Sequence, residues 1–211
     1  MNTPTRSTEW MVWGGLVLVM LAIFCAFVVS NSRHVPPLPL LANVSDFALT
    51  NQSGRVVTRA DLRDKVWLAD IIYTRCFGPC LRMTRQMSEL QAALPANAPV
   101  QLVSLTADPA FDTPEVLKRY GEKFGVAPDR WQFLTGNKLD VYRLTTQGLL
   151  LAVDETKADE RTDPNDLFVH STRFIVVDKQ GRIRGAFDGT EASSQKKILM
   201  AIEMLLKEKQ P

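Results

Sequence analysis

The chain has 211 residues, of which 45% are hydrophobic and 23% are charged, and its formal net charge at pH 7 is +2. That length allows one domain with a substantial hydrophobic core in addition to a short N-terminal segment. Acidic and basic residues are interspersed without a basic stripe or an acidic tail, so the composition gives no support for a nucleic-acid partner.

The N-terminal segment is strongly apolar. Residues 11–29 contain no ionisable side chain other than the thiol of Cys25. As a helix they would reach about 28 Å, which is close to the hydrocarbon thickness of a bilayer. Trp10 and Trp13 stand at the start of this stretch, where aromatic rings favour the membrane interface. The pattern predicts a single transmembrane helix over residues 11–30.

Two other interpretations of this segment are less favourable. A cleaved signal peptide needs small residues before the cut, and Val28-Val29-Ser30 is a poor site of that kind. A lipoprotein needs a small residue before the lipidated cysteine, whereas Phe24 precedes Cys25. We therefore expect an uncleaved anchor preceded by a cytoplasmic stub over residues 1–10.

The rest of the chain is predicted to be a tether over 31–44 and one domain over 45–211. Three prolines in the first part favour an extended tether. Strand and helix patterns then alternate and finish in a hairpin and a helix, which is typical of an α/β thioredoxin-like fold with a central mixed sheet and flanking helices. The predicted strands cover 47–50, 55–58, 66–74, 100–105, 131–135, 172–178 and 182–187, and the predicted helices cover 79–94, 113–124, 138–146 and 194–209.

Two cysteines, Cys76 and Cys80, follow the apolar strand predicted over 66–74. At a strand-to-helix turn, backbone N–H groups and the helix dipole stabilise a thiolate. Gly78 gives the loop room to turn, and Pro79 suits the first position of a helix. The two thiols can form a disulfide or bind a soft metal ion together, and the alternative is that both are buried structural thiols. Three intervening residues, rather than two, favour the metal over plain disulfide exchange.

A histidine is the candidate third ligand. The chain has two histidines, and His34 belongs to the predicted tether. His170 lies just before the strand predicted over 172–178 and after an irregular stretch over 154–167. A long loop can fold over a site and deliver one side chain to it. The alternative is a histidine at a strand edge that is hydrogen-bonded to its neighbours.

Several sequence blocks follow one another between Phe47 and Leu206. They are, in order, Tyr73-Thr-Arg-Cys76-x-x-x-Cys80, Asp108-Pro-Ala-Phe-Asp112-Thr-Pro-Glu-Val-Leu-Lys-Arg-Tyr120, Trp131-x-Phe-Leu-Thr-Gly136, His170-Ser171, Val177-Asp178-x-x-Gly181 and Gly189. With these blocks the chain resembles the Sco/SenC family of copper-binding proteins. The resemblance implies that Cys76, Cys80 and His170 bind copper as Cu(I), with Cu(II) left open.

The resemblance also implies a function and a location. The protein would be a copper metallochaperone that assists assembly of the binuclear copper site of cytochrome c oxidase. Its partners would be the copper-site subunit of the oxidase and a periplasmic copper donor or thiol reductant. The domain would face the periplasm from the bacterial inner membrane, since the N-terminus lacks the Arg- and Ser-rich character of a transit peptide.

The alternative function is a membrane-anchored thiol–disulfide oxidoreductase. Cys76 would attack a disulfide in a partner, and Cys80 would resolve the mixed disulfide. If the chain is an enzyme, it is therefore expected to be a thiol–disulfide reductase.

Several other residues are given structural roles. The helical spacing of Met83 and Met87 predicts core packing rather than copper ligation, and Asp108 and Asp112 are predicted to fix a loop or cap a helix.

Three positions depart from the family pattern. Family members often carry proline after each cysteine and an acidic residue before the histidine, whereas this chain has Phe77, Leu81 and Val169. The missing acid removes one possible partner for the ring of His170.

Overall fold

The computed structural model describes residues 6–32, 37–157, 159, 167–191 and 193–208. The chain divides into two compact units, residues 1–37 and 38–211. The helices are α1 (Arg6–Ser32), α2 (Pro79–Ala93), α3 (Pro114–Glu122), α4 (Lys138–Arg143) and α5 (Ser194–Lys207), with a 3-10 turn at Arg59–Leu62 and a π-helical turn at Leu144–Gly148. The strands are β1 (Ala42–Asn43), β2 (Ala48–Asn51), β3 (Val56–Thr58), β4 (Val66–Ile72), β5 (Val100–Thr106), β6 (Trp131–Thr135), β7 (Val153–Glu155), β8 (Phe168–His170), β9 (Arg173–Val177) and β10 (Arg182–Asp188).

The first unit contains α1, whose described side chains, those of residues 10–26, are exposed. Within the described part of the chain, no helix is long and apolar enough to cross a membrane. The transmembrane helix predicted over 11–30 is therefore not supported. His34, in the predicted tether, lies outside the described residues.

The second unit is built on an eight-stranded mixed sheet with the order β1-β10-β9-β4-β5-β6-β2-β3. Strands β4, β5 and β6 are parallel neighbours at its centre, and the other pairings are antiparallel. Every residue of β4 and β5 is buried, as expected of strands that are covered on both faces. The predicted mixed α/β fold is confirmed.

The start of the second unit is attached to β10, far from the predicted cysteine site. Ala42 pairs with Ile183, which pairs in turn with Val177. Val177 is also opposite Trp67, near the beginning of β4, whereas Cys76 follows the end of β4. Strand β1 therefore pairs with β10 at the opposite end of the strands from the cysteines.

Local sequence signals place most elements within a few residues of the prediction. Gly54 and Gly181 occupy hairpin turns with φ of +76° and +81°, a conformation that glycine adopts without strain. Thr113 caps α3 by accepting the N–H of Val116 at 3.4 Å. Met83 and Met87 are fully buried on α2, which confirms their predicted core role.

Three short strands were not predicted from the sequence, namely β1, which lies in the predicted tether, and β7 and β8. Strands β7 and β8 form a separate two-stranded sheet in which Val153 is opposite His170. The stretch over 154–167, which the sequence pattern left irregular, therefore begins in β7 and leads into β8, although residues 158 and 160–166 lie outside the description. This hairpin is the element that carries the histidine.

Candidate metal centre

The loop between β4 and α2 is held by hydrogen bonds to a buried aspartate. Asp112, which is fully buried, accepts the backbone N–H of Thr74 at 3.1 Å and also the hydroxyl of Thr74. A third hydrogen bond comes from the hydroxyl of Thr106 at the end of β5. Asp112 thus joins the ends of two central strands and sets the path of the chain immediately before Cys76.

A second contact holds the same loop from its outer side. Arg75 donates to the carboxylate of Asp108, and its guanidinium lies 4.2 Å from the centroid of the Phe111 ring. Both aspartates therefore fix a loop, as their positions in the sequence predicted.

Cys76 lies at the N-terminus of α2 and is 8% exposed. The pKa of its thiol is lowered, first by a hydrogen bond with the thiol of Cys80, then by one with His170 and by the backbone N–H groups of Cys80 and Gly78. These groups all stabilise the ionised form. Ionisation of the pair is therefore favoured at Cys76.

Cys80 is in the first turn of α2 and is completely buried. Burial raises the pKa of its thiol, and the neighbouring negative charge of Cys76 raises it further. A second charge so close to the first, and away from water, is strongly disfavoured. The pKa values of the two thiols are therefore moved in opposite directions, down for Cys76 and up for Cys80.

His170 reaches the cysteines from the end of β8. Its Nε2 lies 2.9 Å from Cys80 Sγ, and its Nδ1 lies 3.1 Å from the carbonyl oxygen of Ser171. A carbonyl can only accept a hydrogen bond, so Nδ1 carries the proton and Nε2 is directed toward the sulfurs. The Ser171 carbonyl thus takes the place of the acidic partner that Val169 does not supply.

The structure brings all three predicted ligands together. Both sulfurs and a ring nitrogen of His170 lie within 4.8 Å of one another. Two thiolates and one imidazole form a soft donor set that suits Cu(I) and other thiophilic ions. Only small shifts are needed for the three atoms to share one ion, so the residues present fit copper.

A buried carboxyl group lies on β4, the strand that leads to the cysteine loop. Asp70 is fully buried, accepts the hydroxyl of Ser104 at 2.6 Å through Oδ1, and has no hydrogen-bond partner at Oδ2 among the residues that the structure describes. Ser104 in turn accepts the indole N–H of Trp131 at 3.0 Å. Burial raises the pKa of Asp70 to about 7, whereas the Ser104 hydrogen bond and the interaction with His170 act in the opposite direction.

The family comparison decides the relationship of this chain to known proteins. The family model described as SCO1/SenC matches residues 39–207, which is most of the chain and nearly all of the second unit. This chain belongs to the SCO1/SenC family. The matched region of this chain contains all three residues of the cluster, Cys76, Cys80 and His170.

Two curated relatives illustrate the range of this SCO1/SenC family. The SCO1 protein homolog of Bacillus subtilis is 29% identical over 167 residues, covering 78% of this chain and 83% of the relative. A protein of Stutzerimonas stutzeri, whose name describes it as copper-binding, is 28% identical over 159 residues, covering 74% of each chain.

Solved structures agree with the fold. A SCO1/SenC family lipoprotein from Bacillus anthracis has 30% sequence identity and a TM-score of 0.69, covering 80% of this chain and 98% of its own. BsSco, described as a Sco family cytochrome c oxidase assembly protein with a disulfide switch, has 28% identity and a TM-score of 0.71, covering 82% and 99%. ScoI of Bradyrhizobium japonicum with copper bound, at 22% identity and a TM-score of 0.65 over 78% and 99%, supports the fold.

Three residues that shape the centre were not identified from the sequence. Asp70, Tyr73 and the carbonyl of Ser171 contribute through contacts with residues far along the chain or through the backbone. Asp70 carried a usable signal, because a single acidic residue within an otherwise apolar strand is unusual. The other two carried none.

Proposed function

We propose that this chain is a copper metallochaperone that binds one copper ion through Cys76, Cys80 and His170. The observation that supports the proposal best is the convergence of two sulfurs and one ring nitrogen within 4.8 Å. Copper is the cargo in this proposal, and it is bound as Cu(I), the oxidation state that two thiolates favour. Release would occur by ligand exchange, in which thiols of a partner replace those of this chain one at a time.

The state of the dithiol suits the capture of a cation. The pKa of Cys76 is lowered, which suits it to be the first ligand for an incoming ion. The pKa of the buried Cys80 is raised, so this thiol binds the ion as its proton leaves. Nδ1 of His170 is occupied by the Ser171 carbonyl, which leaves Nε2, 2.9 Å from Cys80 Sγ, as the ring nitrogen for the ion.

The proposed receiver is the copper-site subunit of cytochrome c oxidase. Support comes from the relationship to BsSco, a member of a family of cytochrome c oxidase assembly proteins. A periplasmic copper donor or thiol reductant would act upstream. We propose that the domain works on the periplasmic side of a bacterial inner membrane. Association with a membrane is supported by the SCO1/SenC relative of Bacillus anthracis, which is described as a lipoprotein.

A thiol–disulfide reductase is the second candidate, and one observation favours it. The pKa of Cys76 is lowered and that of Cys80 is raised, which is the asymmetry required of an attacking and a resolving cysteine. In this mechanism Cys76 attacks a disulfide of the partner and forms a mixed disulfide. Cys80 then loses its proton and displaces the partner thiol, leaving a Cys76–Cys80 disulfide.

Anaerobic titration with Cu(I) against a competing chelator tests the first candidate. The reduced protein is expected to bind one ion per chain, and loss of either cysteine should abolish tight binding. The variant His170→Ala should weaken binding by about tenfold or more, whereas the control His34→Ala removes the other histidine and should bind as the wild type does.

The same variants separate the two functions. A reductase should retain most of its rate of disulfide reduction in His170→Ala, because the histidine is not needed for thiol exchange. Equal copper affinity of wild type and His170→Ala, combined with rapid reduction of a model disulfide by both, would contradict the metallochaperone and favour the reductase.

A further inference from the structure

The tyrosine before the cysteine loop, Tyr73, is buried between the two parts of the centre. It is the first residue after β4 and is 2% exposed. Its ring lies between the dithiol loop and the hairpin formed by β7 and β8. A large aromatic side chain in that position is able to contact ligands from both elements.

The hydroxyl of Tyr73 is oriented by two hydrogen bonds. It accepts the backbone N–H of Leu167 and pairs with the sulfur of Cys76. Because the hydroxyl oxygen already accepts from Leu167, its own proton is directed to the other partner, Cys76 Sγ. Leu167 directly precedes β8, so this one hydroxyl connects the hairpin to the first cysteine.

The ring of Tyr73 makes two further contacts with the hairpin. It meets the ring of Phe168 edge-on, with centroids 5.1 Å apart and an interplanar angle of 64°. It meets the imidazole of His170 at 5.7 Å and 89°. Edge-to-face pairs of this kind have a preferred geometry and contribute about 0.5–1.5 kcal/mol each beyond their burial.

These contacts are important because of how the hairpin is built. Within the described part of the chain, β7 and β8 form their own two-stranded sheet and do not pair with the central sheet. An isolated two-stranded hairpin is marginally stable, so its position depends on the side chains that pack against it. The placement of His170 relative to the cysteines therefore depends on residues such as Tyr73.

We propose that Tyr73 is a positioning residue of the metal centre, which holds the histidine-bearing hairpin against the dithiol loop and donates a hydrogen bond to Cys76. The importance of Tyr73 for copper binding rests on the proposed function. The hydrogen bond to Cys76 and the contact with His170 are expected to be coupled, because both are made by one rigid side chain.

The test compares Tyr73→Phe with Tyr120→Phe. The first variant keeps the ring and removes the hydroxyl. The second removes a buried hydroxyl that is hydrogen-bonded to Thr84 at 3.0 Å on α2 rather than to a sulfur, so it is a control for the loss of a buried phenol. Thermal unfolding of both variants establishes that each is folded.

The first readout needs no metal. A hydrogen bond to a thiolate reduces its intrinsic nucleophilicity, so Cys76 of the reduced Tyr73→Phe protein should react with iodoacetamide several-fold faster than in wild type. The reaction is followed by mass spectrometry of the peptide that contains Cys76. The control variant should react at the wild-type rate. Equal rates in Tyr73→Phe and wild type would overturn the hydrogen bond.

The second readout is the affinity for Cu(I) in a double-mutant cycle with His170→Ala. Tyr73→Phe alone should weaken binding by about tenfold, and its effect should shrink to about twofold or less when His170 is already absent. The same fold-loss in both backgrounds would show that Tyr73 does not act through the histidine. Failure of wild type to bind Cu(I) would instead refute the proposed function, while the alkylation rates would still decide the role of Tyr73.

Discussion

At the scale of single residues, the centre is defined by the burial and hydrogen bonds of its three donors. The pKa of Cys76 is lowered, that of Cys80 is raised, and Nδ1 of His170 donates to Ser171. This arrangement leaves Nε2 of His170 on the side of the sulfurs, 2.9 Å from Cys80 Sγ. It also explains how the histidine is oriented without an acidic neighbour, since a backbone carbonyl can serve as its partner.

Asp70 gives a prediction about the dependence of stability on pH. Its folded-state pKa of about 7 is above the ordinary value of 3.8, so protonation favours the folded state. Its stabilising contribution is fully present below about pH 4 and is lost as the pH rises to about 7. The free energy of unfolding of wild type should therefore fall relative to that of Asp70→Asn across this range, by on the order of 4 kcal/mol.

Chemical denaturation of both proteins at several pH values measures this difference. Taking the difference between wild type and variant removes the effects of groups that both proteins share. A difference in the free energy of unfolding that is constant from pH 4 to pH 8 would show that Asp70 is not titrating in this range.

At the scale of elements, the sequence predicted those parts of the centre that depend on local patterns. The apolar run of β4, the glycine and proline at the start of α2, and the cysteine spacing place Cys76 and Cys80 correctly. The hairpin was missed because β7 and β8 have three residues each, which is too short for a periodic signal. The contacts of Tyr73 and Asp112 could not be read from the sequence because they join distant segments.

Asp112 is the residue through which the end of β5 fixes the cysteine loop. Asp112→Ala would leave the N–H and hydroxyl of Thr74 and the hydroxyl of Thr106 without their shared acceptor. We expect a loss of about 3 kcal/mol in the free energy of unfolding, together with weaker copper binding because the loop before Cys76 is released. Denaturant titration and Cu(I) competition measure the two effects.

Asp140→Ala is the matched control for this prediction. Asp140 is an exposed carboxylate whose pair with Arg143 spans 3.6 Å, and such a pair contributes about 1 kcal/mol or less. If the two alanine variants have equal stability and equal copper affinity, Asp112 does not hold the loop.

Gly189 provides a second prediction at this scale. A Cβ atom there would lie 2.7 Å from the carbonyl oxygen of Thr172 and 3.0 Å from the ring of Phe174. Gly189→Ala must therefore push the end of β10 away from the segment that follows His170, at a cost of about 1–3 kcal/mol. Thermal unfolding checks this, with Ala186→Ser at an exposed position of the same strand as control. Unchanged stability of the glycine variant would contradict the close approach.

At the scale of the whole molecule, the metal centre and the buried cluster around Arg184 lie at opposite ends of the central sheet. The cysteines and His170 gather at one end. At the other, buried Arg184 donates to the carbonyl oxygens of Leu38 and Pro39 and pairs with the carboxylates of Asp178 and Glu208. These contacts hold the first residues of the second unit and the end of α5 against β10. The metal centre lies at the opposite end of the sheet strands from this cluster.

Arg184→Ala should consequently separate stability from copper binding. The change leaves the buried carboxylate of Asp178 short of a partner and frees two carbonyls, so we expect a loss of about 3–5 kcal/mol. Cleavage by a protease within residues 38–44 should become faster. Copper affinity of the folded protein should stay within about twofold of wild type. The control Lys207→Ala loses only a surface pair with Glu203, and it should leave stability, protease cleavage and copper affinity unchanged. A large fall in the copper affinity of Arg184→Ala would contradict the independence of the metal centre from the Arg184 cluster.

The most direct test of the central claim is X-ray absorption spectroscopy of the protein loaded with one Cu(I) per chain. The account predicts a copper ion with two sulfur neighbours and one nitrogen neighbour, and the loss of the nitrogen neighbour in His170→Ala. A first shell made of sulfur alone, or the same spectrum in wild type and His170→Ala, would contradict the assignment of Cys76, Cys80 and His170 as the copper ligands.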